Sequence, residues 1–131
     1  VIADTGFLIA HFVESDRHHS WAKGMTGYFD APFITCEEVV TETAHLLGSS
    51  NRVIQMLREG QLKIEFALED YLEDLDQLAR RYADRNPDLA DLCLIRMSEL
   101  FPRLSILTVD RDFRVYRKNR NQIIPVFMPD F

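Results

Sequence analysis

The chain has 131 residues, 47% of them hydrophobic and 27% charged, enough for one domain with a proper core and too few for two ordinary ones. No apolar run approaches the roughly 18 residues that a bilayer span requires. The formal net charge of −6 excludes a protein that holds nucleic acid by phosphate neutralisation alone. Cys36 and Cys93 lie far apart without CxxC spacing, which argues against a disulfide framework, excludes a zinc site of the Cys-rich type, and reads both as buried small hydrophobes in a reducing cytoplasm. Residues 1–131 are expected to form a single domain. The opening has no basic segment or cleavage site of the secretory kind, and Val1, not being Met, places the expected native start a residue or two upstream.

Residues 1–4 read as a buried strand ending in Asp4, followed by Thr5-Gly6 and a helix from Phe7. Asp16 is placed to cap a second helix reaching about Phe29. After Ala31-Pro32, residues 33–35 form a short strand. A helix then runs from Cys36 or Glu37 to about Leu47, with Val39, Val40, Ala44 and Leu47 at helical spacing. Beyond a Ser49-Ser50-Asn51 turn, residues 53–58 are helical, and 62–66 alternate as a half-exposed strand. Residues 69–83 make an amphipathic helix on Leu72, Leu75, Leu78, Ala79 and Tyr82. Asn86 and Pro87 are expected to cap and start a helix ending near Leu100. Residues 105–109 form a strong buried strand, and 123–127 another, placed at an edge by Pro125. Strands alternating with helices imply an α/β fold with a parallel sheet covered on both faces. Ligands of such sheets sit beyond the carboxyl ends of the strands.

The acids fit that rule. Asp4 and Asp110 each end an apolar strand, with Asp112 two residues beyond the second. Glu42 and Asp91 lie inside helices among apolar neighbours, and Asp88 shares a helical face with Asp91 near the helix start. Any one of these is an ordinary turn, cap or surface acid. Their coincidence points to one carboxylate cluster. Converging carboxylates repel and resist ionisation until a divalent cation enters. An all-oxygen donor set favours Mg²⁺ or Mn²⁺, and such ions promote phosphodiester hydrolysis.

The sequence resembles the PIN domain, the family of VapC-type toxins and related endoribonucleases. The likeness is carried by Val1-Ile2-Ala3-Asp4-Thr5-Gly6, by Glu42 within Glu38-Val39-Val40-Thr41-Glu42-Thr43-Ala44, by Asp88-Leu89-Ala90-Asp91, and by Leu107-Thr108-Val109-Asp110-Arg111-Asp112-Phe113. These pieces keep the family's order and span nearly the whole chain. The resemblance implies a three-layer α/β/α fold with a central parallel sheet. It implies that Asp4, Glu42, Asp91 and Asp110 are catalytic residues that hold Mg²⁺ or Mn²⁺, with Thr5 and Thr108 orienting the carboxylates. Asp112 is carried as an outlying metal ligand whose side chain could point away from the pocket. Gly6 departs from the pattern, because many relatives have Ser there.

Arg111, Arg114, Arg117 and Lys118, with Arg120, form the one concentrated basic stretch, placed where a phosphate backbone would pass; a solvated surface is the alternative. Glu42-Thr43-Ala44-His45 matches one Glu-x-x-His motif, but a di-iron site needs two. His18 and His19 are adjacent and so diverge, one expected to be exposed and the other to cap or pack. Trp21, Tyr28 and Phe29 read as core or interface aromatics. Asp4-Thr5 hints at a haloacid-dehalogenase phosphatase, but Gly6 stands where that chemistry needs Asp. The expected function is a Mg²⁺- or Mn²⁺-dependent endoribonuclease, the toxin of a toxin–antitoxin pair, with an RNA substrate, a cognate antitoxin protein and a homodimeric state, and with no membrane partner. The alternative is a PIN-like scaffold that binds RNA or protein without cutting.

Overall fold

A computed structural model describes residues 1–130. The elements in chain order are β1 (Ile2–Ala3), α1 (Thr5–Phe12), α2 (His19–Tyr28), β2 (Phe33–Thr35), α3 (Glu37–Leu47), α4 (Ser50–Arg58) and β3 (Leu62–Ile64), followed by α5 (Leu72–Arg81), α6 (Leu89–Leu100), β4 (Ile106–Leu107), β5 (Arg117–Lys118), β6 (Gln122–Ile123) and β7 (Val126–Phe127). Five strands make one parallel sheet in the order β3-β2-β1-β4-β7, while β5 and β6 form a separate antiparallel pair. Helices flank this central sheet, giving the three-layer α/β/α arrangement. No helix among the described residues is long and apolar enough to cross a membrane.

The central strands carry apolar residues on both faces because helices cover both. Ile2, Ala3, Ile106 and Leu107 are all fully buried. Helix α6 is buried almost all round through Leu92, Cys93, Leu94, Ile95 and Met97, and it packs against α3, α5 and β1. Helix α5, by contrast, buries only Leu75 and Leu78 and leaves its charges in solvent. One connected core reaches from Ile2 to Ile124.

The strand order carries the consequence for function. From β1 the chain winds outward through β2 to β3, then returns to build β4 and β7 on the other side of β1. The order therefore reverses between β1 and β4, and the crevice beyond their carboxyl ends is the switch point where such sheets bind ligands. Asp4 follows β1 directly, and Asp110 stands just past β4.

Some sequence expectations shift. Helix α6 starts at Leu89 under an Asp88 cap, not under Asn86 and Pro87. Asp88 accepts the Asp91 amide while Asp91 reaches back to the Asp88 amide, a reciprocal box that Asn86, at φ 48°, is too early to form. The helix expected over 69–83 begins as a 3₁₀ turn, Leu68–Tyr71, and its α-helical part ends at Arg81. Helix α4 starts at Ser50, because Gly48 in the left-handed region (φ 66°) ends α3 and only Ser49 intervenes. Pro125 divides the last expected strand: Ile123 joins the β5–β6 pair, and Val126–Phe127 forms the sheet edge. The Pro125 carbonyl still accepts from the Ile106 amide at 2.9 Å, a bond that needs no proline N–H.

Gly6, in the first turn of α1, lies against β4's end: a β-carbon there would run into Cγ2 of Val109. The missing side chain is what lets the first turn of α1 lie against Val109. Gly6→Ser should cost about 1–3 kcal/mol through overpacking, and Val109→Ala added to it should recover part of the loss. Chemical denaturation of the single and double variants checks this; a Gly6→Ser protein as stable as wild type would contradict the packing account.

Candidate metal centre

Asp4 is the deepest acid. Its backbone is extended, as the end of β1 requires, and its side chain caps α1 by accepting the Thr5 amide on Oδ1 at 2.7 Å. The other oxygen, Oδ2, accepts the Thr108 hydroxyl at 2.7 Å, and that hydroxyl oxygen accepts the Asp110 amide at 3.0 Å. Thr108 is fully buried, so one side chain from β4's end ties the acid of β1 to the acid of β4. Asp110 in turn receives the Asp112 amide at 2.9 Å.

Burial raises the Asp4 carboxyl to about 6 despite its two hydrogen bonds, and Asp110 and Glu42 add repulsion. Asp91 is pushed further, to about 8, first by burial and then by Asp88, Asp4 and Asp110. Asp110 also rises, by burial, with Asp112 and Asp88 contributing. Asp4 thus lies within electrostatic reach of Glu42, Asp91 and Asp110, and Asp88 within reach of Asp91 and Asp110.

They line a single cavity of about 330 Å³ together with Thr5, Gly6, Asp16, His18 and the apolar Ile9, Leu46 and Val109. Six carboxylates border it, and no Lys or Arg is among the lining residues. Asp16 and His18 are the members that sequence reading did not place there. The sequence reads Asp16 only as the cap of the second helix, but α2 starts at His19 under His18, and Asp16 Oδ1 accepts the His18 amide at 2.8 Å in the preceding turn. His19 instead directs Nδ1 to the Ala10 carbonyl at 2.7 Å.

The pocket suits a hard cation. Its donors are almost wholly oxygen. Thr5 Oγ1, beside Asp4, is buried without a hydrogen-bond partner in the chain, leaving a lone pair that an ion or its water can use. No three of the pocket acids bring ligand atoms all within 4.8 Å of one another, so an ion there would be held partly through its own waters.

Asp112 does not line this pocket. Its carboxylate pairs with Arg85 at 3.2 Å. The basic stretch also divides. Arg111 and Arg114 are exposed, on a 3₁₀ turn directly after Asp110. Arg117 folds back, its Nη1 donating to the carbonyls of Arg114, Val115 and Tyr116 at 2.7, 2.9 and 3.1 Å. Lys118 is buried with its ammonium on the Pro102 carbonyl at 3.2 Å. A stretch read either as an RNA contact or as a solvated surface is thus partly structural, because Arg117 and Lys118 direct their cations to backbone carbonyls.

The family model described as PIN domain matches residues 1–119, and the chain belongs to that family. Its members are generally nucleases, and typically metal-dependent ones. No curated protein matches the sequence.

The raised acids predict a signature in stability. Asp91 folds with a value near 8 against an ordinary 3.8, so the folded state keeps a proton that the unfolded state releases. Its contribution is complete below the ordinary value and is lost as pH rises through about 8. Asp91→Asn keeps the shape and cannot ionise. In metal-free buffer its stability relative to wild type should therefore grow from about pH 4 to about pH 8 and then level off. Paired melts across that range measure it. A mutational effect that does not change with pH would remove Asp91 from the cluster.

Proposed function

We propose that this chain is a Mg²⁺- or Mn²⁺-dependent endoribonuclease acting as the toxin of a toxin–antitoxin pair. The observation that carries the reading is the pocket at the sheet's switch point, bordered by six carboxylates with no lysine or arginine to balance them. A purely structural acidic patch has no reason to gather carboxylates in one concave pocket without a Lys or Arg, since Asp4, Asp91 and Asp110 are raised there at a cost in stability.

Asp4, Glu42, Asp91 and Asp110 are the residues that would hold the ion. When bound, a divalent cation polarises the scissile phosphate, lowers the pKa of attacking water and steadies the leaving oxygen. The protein's own contribution is positioning. Thr108 fixes the Asp4 carboxylate and the Asp110 backbone together, so both face the crevice without rearrangement. Asp91, its carboxyl raised by burial and by its acidic neighbours, would ionise more readily with a divalent cation in the cavity. Arg111 and Arg114, exposed beyond Asp110, suit the flanking phosphates of an RNA strand.

The toxin role, a cognate antitoxin and a homodimeric state follow from the resemblance to VapC-type chains and form part of the same proposal. An antitoxin would silence the pocket most directly by inserting an Arg or Lys among the acids.

The test is cleavage of single-stranded RNA by purified protein with Mn²⁺ or with chelator. Wild type should cut only with the ion, and Asp4→Asn or Asp91→Asn should slow it by roughly 10²-fold or more while remaining folded. Arg111→Gln with Arg114→Gln should weaken RNA binding and flatten its salt dependence. No cleavage in Mn²⁺ by folded wild type would favour the non-cutting scaffold. Full activity in Asp4→Asn would assign any cleavage to another site.

A further inference from the structure

Outside the acidic pocket, the described residues contain one further trio of potential ligands: Cys36, Glu38 and Cys93 bring two sulfurs and a carboxylate oxygen all within 4.8 Å of one another. Spacing along the chain leaves no thiolate signature, but α6 packs on α3 and brings Cys93 to Cys36 and Glu38. Cys36 ends β2's run and stands at the N-cap of α3, Glu38 lies in the first turn of that helix, and Cys93 comes from the middle of α6. Both cysteines are free and fully buried, whereas Glu38 is half-exposed.

We infer that Cys36, Cys93 and Glu38 form a second cation site, one for a thiophilic divalent ion of the Zn²⁺ class. The inference stands apart from the nuclease reading. A tetrahedral ion with ligand distances of about 2.0–2.3 Å needs donor atoms roughly 3.3–3.8 Å apart, a separation that lies inside the 4.8 Å within which the three donors already stand. Two thiolates select soft or borderline ions over Mg²⁺, so the site is chemically separate from the oxygen-lined pocket. Two thiolates and a carboxylate leave the loaded site with one excess negative charge. The N-terminus of α3, whose first amides have no side-chain cap, faces that charge with its positive end. Three protein ligands leave one position for water, and half-exposed Glu38 marks the way in. On binding, both thiols lose their protons to solvent and no redox step is involved. The ion would clasp α3, which carries Glu42, to α6, which carries Asp91.

The test uses Cd²⁺ alone on the reduced, folded chain. Thiolate-to-Cd²⁺ charge-transfer absorbance should saturate at one ion per chain. It should vanish in Cys36→Ala and in Cys93→Ala, persist with weaker affinity in Glu38→Gln, and be unchanged in Asp4→Asn. Cadmium NMR of the wild type should report two sulfur ligands, a readout that needs no core variant to fold. Absence of the band, a resonance without sulfur coordination, or a band that survives loss of either cysteine would overturn the site. So would a band abolished by Asp4→Asn, which would place the ion in the acidic pocket.

Discussion

Everything about the pocket depends on one buried hydroxyl. Thr108 donates to Asp4 and accepts from the Asp110 amide, and so holds two like-charged strand ends side by side where the sheet's winding reverses. The bridge ties the Asp4 carboxylate to the Asp110 backbone, and no Lys or Arg among the lining residues offsets the acids' repulsion. Gly6 leaves the space that Val109 fills. The fold thus spends stability on gathering negative charge, and the raised Asp4, Asp91 and Asp110 carboxyls are the form that expense takes.

The helices complete the site by their starting points. Asp4 caps α1 and Asp88 caps α6, so two members of the pocket are also the residues that begin helices. An acid at a helix N-terminus is ordinarily favourable. Here the favourable cap draws the chain into place, and the repulsive convergence follows from the strand order. A capping role and a ligand role are therefore compatible in one residue: Asp4 uses Oδ1 for the Thr5 amide while Oδ2 faces Thr108.

The architecture was legible because hydrophobic pattern dictates it. Strands such as Ile2–Ala3 and Ile106–Leu107 are uniformly apolar, and α3 and α5 show helical spacing. Asp4 and Asp110 stood out because an acid ending an apolar strand sits where parallel sheets bind ligands. Glu42 and Asp91 stood out because their neighbours are apolar, and all four line one cavity. What escaped depends on contacts between residues distant in sequence. Asp16 and His18 reach the pocket through the loop before α2, for which no periodicity exists. Lys118 reads as a surface cation, yet the Pro102 carbonyl takes its ammonium into the fold. Asp112 reads like a continuation of Asp110 until Arg85 claims it. Cys36 and Cys93 have no spacing signature, because a pair assembled across two helices leaves none.

The central claim is that the pocket acids form one cation site, and metal-linked stability tests it without knowledge of any substrate. An ion that binds only the folded arrangement adds RT ln(1 + [M]/Kd), about 2.7 kcal/mol at ~100 times Kd, or several degrees in Tm for a domain of this size. Melts of wild type, Asp4→Asn and Glu73→Gln, an exposed acid on α5, are compared with and without Mn²⁺ at constant ionic strength. Mn²⁺ should raise the Tm of wild type and Glu73→Gln alike, while Asp4→Asn should be more stable than wild type without the ion and gain little from it. An equal shift in all three proteins, or no shift in any, would contradict the account.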